Sequence, residues 1–107
     1  MTTGKGFYCN MMALNAEERA RHSKLTEKLM ASRKKTAETE TGYEFQFDTA
    51  EVSLAELTDF VAAESRCRPF FDFRIAVERE GQLLKLGLTG AEGAKAFMRA
   101  EFHLAEM

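Results

Sequence analysis

Tryptophan is absent from this chain, proline occurs once, at Pro69, and cysteine twice, at Cys9 and Cys67. Two thiols so far apart, in a reducing compartment, point to free thiols rather than a stable disulfide. No apolar run approaches the roughly 18 residues that a membrane helix needs. The start, Met1-Thr2-Thr3-Gly4-Lys5-Gly6, leads into no apolar signal region. The expected setting is therefore cytoplasmic, with no membrane partner. A basic excess is also missing: the formal net charge is −2. That argues against a dedicated nucleic-acid binder, so no nucleic-acid partner is expected. What the chain does have is nine Phe, 45% hydrophobic and 30% charged residues over 107 positions. Such a composition suits one globular domain, residues 1–107, with a Phe-rich core.

The apolar stretch 7–14 (FYCNMMAL) lacks clean alternation and fits a short strand or a packed arm. Asn15-Ala16-Glu17-Glu18 has the form of a capping box. It predicts a helix to about Lys34, with His22, Leu25 and Leu29 on its inward stripe. The run Arg33-Lys34-Lys35 is expected as a solvated helix end that complements the dipole. Residues 35–40 alternate weakly. Tyr43, Phe45 and Phe47 then alternate with Glu44, Gln46 and Asp48, as in a half-buried strand, and Gly42 is expected to close a hairpin.

Ser53-Leu54-Ala55-Glu56 forms a second capping box, with Leu54, Leu57, Phe60 and Val61 inward on a helix reaching about Arg66. Pro69 requires that helix to stop, because proline disfavours helical geometry in the residue before it. Phe71, Phe73, Ile75 and Val77 mark the clearest strand. Glu80-Gly81 signals a tight turn, and Leu84, Leu86 and Leu88 mark the return. Thr89-Gly90-Ala91-Glu92 is a third candidate capping box, opening a helix that buries Ala94, Phe97, Met98 and Phe102. The order predicted is helix, hairpin, helix, hairpin, helix. The fold class expected is α+β, an antiparallel sheet of about four to five strands with three helices packed mainly on one face.

One combination of motifs spans most of the chain. It comprises Cys9-Asn10, Glu18-Arg19 with His22, Glu64 with Cys67-Arg68-Pro69-Phe70, and Leu88-Thr89-Gly90-Ala91-Glu92-Gly93 with Phe97. This pattern resembles a group of small, largely uncharacterised bacterial proteins with a Glu-x-x-Cys-Cys-Pro-Phe motif. The resemblance implies a shared fold and no established activity. Here Arg68 stands where the motif has its second cysteine, which tells against any role needing two adjacent thiols.

Cys9, His22, Glu64 and Cys67 are the candidate ligand-binding residues. Zinc and other soft metals favour Cys and His, so Cys9, His22 and Cys67 are the candidate metal ligands, with a carboxylate able to complete a tetrahedron. Glu64 and Cys67 lie one helical turn apart and can address one spot. The spacing matches no established zinc signature. The competing reading has Cys67 packed as a small apolar residue and His22 bonded to a backbone carbonyl. A single-cysteine nucleophile, Cys67 with His22 as base and Glu18 or Glu64 as orienter, is a third arrangement. The glycines at 87, 90 and 93 follow neither the phosphate-loop nor the dinucleotide fingerprint, and capping is their expected role.

The leading functional expectation is a small cytosolic binding protein with a pocket for a soft metal or small ligand near the Cys67 turn, and catalysis is left open. The alternatives are a homodimeric interaction module without catalytic activity and a thiol enzyme.

Overall fold

The computed structural model describes residues 13–104. Seven elements follow in order: α1 (Ala16–Ser32), β1 (Lys35–Glu38), β2 (Gly42–Asp48), α2 (Leu54–Cys67), β3 (Asp72–Glu78), β4 (Leu83–Thr89) and α3 (Ala94–Phe102). Both leading capping boxes close reciprocally. Asn15 Oδ1 accepts from Glu18 N at 2.8 Å while Glu18 Oε1 accepts from Asn15 N at 2.9 Å. Ser53 and Glu56 repeat the exchange at 3.0 Å in each direction. Each box satisfies two of the backbone donors that a helix start leaves without intrahelical partners. At the far end of α2, Arg68 N donates to Glu64 O at 2.8 Å, and Pro69 prevents a further turn.

The four strands form one antiparallel sheet in the order β1-β2-β4-β3. The α+β class is retained, but the expected helix–hairpin order and fifth strand are corrected. The chain runs helix, strand pair, helix, strand pair, helix, with four strands among the described residues. The two pairs join through β2 and β4, so neither stands as a separate hairpin. The fifth strand expected from the sequence falls at 7–14. Residues 13 and 14 are a bend leading into the Asn15 cap, and the rest of that stretch lies outside the described residues.

Register places Tyr43, Phe45 and Phe47 opposite Leu88, Leu86 and Leu84, and all six are buried. Each contributes about 1.5–3 kcal/mol by leaving water. Leu29 of α1, Leu57 and Phe60 of α2, and Met98 and Phe102 of α3 complete this core. The Phe102 ring meets Phe45 edge-on at 5.9 Å. The alternate strand positions Glu44, Gln46, Lys85 and Gly87 form the half-buried opposite face.

Gly42 closes the β1–β2 connection as expected, its carbonyl oxygen accepting from Thr39 N at 2.8 Å. It also opens β2 opposite Thr89, where a Cβ would stand 1.7 Å from the Leu88 carbonyl oxygen. Two local expectations are corrected. Thr89 is the last residue of β4, paired with both Gly42 and Asp72, and so does not cap a helix. Instead α3 starts after Gly93, at φ 96°, with no side-chain cap. Finally, α1 ends at Ser32. Lys35 already belongs to β1, and the Arg33 guanidinium lies 6.0 Å over the Phe45 ring.

Candidate functional site

Three helices bring four polar side chains to one place. His22 comes from the middle of α1, Glu64 from the last turn of α2, Arg68 from its C-cap, and Glu101 from the last turn of α3. The position of Glu64 follows from the α2 stripe: it continues Phe60 by one turn and faces inward. It is buried, at 1% exposure. His22 Nε2 stands 2.7 Å from Glu64 Oε1, and the imidazole stacks on Phe60 at 5.2 Å between ring centres. Arg68 Nε lies 2.6 Å from Glu101 Oε1 and 3.7 Å from Glu64 Oε2, both as ion-pair contacts outside hydrogen-bond alignment.

Burial by itself would raise the Glu64 pKa. The bond from His22, the contact with Glu101 and the charge of Arg68 outweigh it and hold the carboxyl below its ordinary value. Glu101 moves the other way. Burial first, then its bond to Glu64 and the repulsion between the two carboxylates, push it up to about 9 against the pull of Arg68. The two carboxyls titrate as a pair, and the upward push on Glu101 favours one proton shared between them at neutral pH. That proton makes the Glu64–Glu101 contact a hydrogen bond, which two bare carboxylates could not form.

Counted without the proton, four buried side-chain atoms among the described residues lack an aligned hydrogen bond: His22 Nδ1, Glu64 Oε2, Arg68 Nε and Glu101 Oε1. The shared proton and the contacts of Arg68 with the two carboxyls account for the last three. His22 Nδ1 remains. When the neutral ring donates through Nε2 to Glu64, Nδ1 presents a lone pair.

His22 forms part of the lining of two clefts. The larger, of about 580 Å³, is bounded by His22, Thr26, Arg33, Glu64, Arg68 and Glu101 among others. The smaller, of about 200 Å³, lies toward Glu18, Leu25, Asp59 and Arg66. Of the sequence-derived candidates, His22 and Glu64 are brought together. Cys67 is buried at 6% exposure and lines neither cleft. Cys9 lies outside the described residues. Among the described residues, no three His, Cys, Asp or Glu side chains are placed to hold a metal ion.

Arg68 and Glu101 were absent from the sequence-derived set. Glu101 had a signal: it falls four residues after Phe97 and three after Met98, on the inward stripe of α3. In the sequence Arg68 stands out as a departure from the cysteine motif, with nothing that pairs it with Glu101. Compared with protein-family models, curated proteins and solved structures, the chain matches none. No described helix is long and apolar enough to cross a membrane.

Proposed function

We propose that this chain is a small binding protein, working in the cytoplasm, whose larger cleft takes a small polar ligand. The ligand donates an N–H or O–H to His22 Nδ1. The observation that carries this reading is the buried, unpartnered Nδ1 on an imidazole already fixed through Nε2 by Glu64. A buried acceptor left bare costs about 1–3 kcal/mol, and a ligand donor removes that cost. The cleft volume falls within the roughly 300–1,000 Å³ usual for small-molecule sites. The test is a titration of small amides, alcohols and ureas, followed through the nitrogen resonances of the His22 ring. Donor-bearing probes shift Nδ1 and raise the melting temperature, and His22→Phe abolishes both effects. If no probe moves Nδ1 at millimolar concentration, the reading is wrong.

A soft metal such as zinc is the second reading. One observation favours it: a carboxylate-oriented imidazole with its other nitrogen unpartnered is the arrangement that a metal-bound histidine uses. Cys9 and Cys67 would have to supply the remaining donors. Equilibrium dialysis against zinc decides it, and a chain that retains no stoichiometric metal removes this reading.

A further inference from the structure

Of the two sheet edges, β1 is short and guarded. It has four residues, and its last, Glu38, is held by Lys95, which also donates to the neighbouring Thr39 carbonyl. The β3 edge is different. It runs seven residues, and among the described residues only β4 pairs with it. Its core-side positions Phe73, Ile75 and Val77 lie opposite buried Leu88, Leu86 and Leu84, yet none of the three is buried. Val77 is 50% exposed, the highest value among the large hydrophobics of the described residues. A long edge with open apolar side chains is a template for strand addition.

We propose that β3 is a self-pairing edge, and that two copies of this chain meet there antiparallel about a twofold axis at Ala76. The register is selected by charge. Centring on Ala76 sets the exposed Arg74 of each copy opposite the partner's Glu78, twice by symmetry. On the other face it sets Ile75 opposite the partner's Val77, also twice, which covers the exposed valine. Centring on Ile75 would instead oppose Asp72 and the partner's Glu78 at both ends, a like-charge clash. Centring on Phe73 would pair Asp72 with Arg74 but leave Val77 beyond the paired strands. Glu78 already stands 3.1 Å from Lys85 of β4. The Ala76 register therefore extends an alternating row, Lys85, Glu78 and the partner's Arg74, across the joint. The result is a continuous eight-stranded sheet. It does not depend on the ligand proposed for the cleft.

Sedimentation of the full chain from micromolar to millimolar concentration is the first test, and a monomer–dimer equilibrium is the expected result. The second uses charge reversal at two exposed positions, with circular dichroism confirming the fold. Arg74→Glu alone and Glu78→Arg alone each weaken dimerisation by about tenfold or more, because both symmetric contacts become repulsive. Mixed in equal amounts, these two variants form a heterodimer, since every reversed residue then meets its opposite charge. A chain monomeric at every concentration overturns the proposal, including the case in which residues 1–12 of the same chain cover the edge. A dimer indifferent to both substitutions, or variants that fail to pair when mixed, overturns it as well.

Discussion

His22 on α1 and Glu64 on α2 lie 42 residues apart in sequence and 2.7 Å apart at Nε2 and Oε1. The contact ties the middle of the first helix to the last turn of the second. It also decides which nitrogen of the imidazole is left for other chemistry.

Replacing Glu64 by Ala is expected to cost about 3–5 kcal/mol, because it leaves His22 Nε2 without its buried partner and removes a buried carboxylate from the network around Arg68. Glu56→Ala, which removes a half-exposed partner of Lys28, is expected to cost about 1 kcal/mol, chiefly through the lost capping box. Urea unfolding of the two variants measures the difference. Similar midpoints would show that the buried cluster does not hold the helices together.

Stability is expected to fall on the alkaline side. The folded Glu101 pKa, about 9, lies above the ordinary 4.5. The folded state therefore binds more protons across that interval. Its contribution is complete below about 4.5 and is lost as pH rises toward about 9. Glu64 has the opposite sign: its lowered pKa gives stability that disappears as pH falls through the folded value. Melting temperatures of the native chain should decline between about pH 6 and pH 9. Glu101→Gln, which keeps the neutral shape, should flatten the decline, and an equally steep slope in that variant would assign the effect to other groups.

Cys67 should react slowly with alkylating reagents while the protein is folded, since its residue is 6% exposed. Mass mapping of the Cys67 peptide, before and after urea, reads this site separately from Cys9. Rapid native labelling at neutral pH would revive the thiol-enzyme reading.

Two glycines should differ sharply on substitution by alanine. At Gly42 the new Cβ meets backbone, 1.7 Å from Leu88 O and 2.9 Å from Thr89 Cα. The end of the β2–β4 pairing has to open, with a loss of about 3 kcal/mol or more, as for other severe core clashes. At Gly81 nothing lies within 4 Å, and only the φ of +87° opposes a side chain, which costs about 1–2 kcal/mol. Thermal unfolding orders them, and the reverse order would contradict the register.

The parts of the fold visible in the sequence were those with local causes. Asn15 and Ser53 each cap a helix through a residue three positions on, and the alternations at 43–47 and 84–88 need only their own side chains. The adjacency of β2 and β4 was not visible, because Tyr43-x-Phe45-x-Phe47 would pack equally well beside β3. Thr89 matched a capping pattern that pairing on both of its sides overrode. Half of the buried cluster was legible, through helical spacing at His22 and Glu64. Arg68 and Glu101 acquire meaning only when α2 and α3 cross, and no local periodicity encodes that crossing.

The strand order β1-β2-β4-β3 also governs when the molecule can become itself. The centre of the sheet joins Gly42 to Thr89 and Asp48 to Leu83, so a nascent chain carries Tyr43, Phe45 and Phe47 with only the short β1 beside them until Leu83–Thr89 have been made. Through that interval three aromatic rings stay available to any chaperone that grips oily, extended polypeptide.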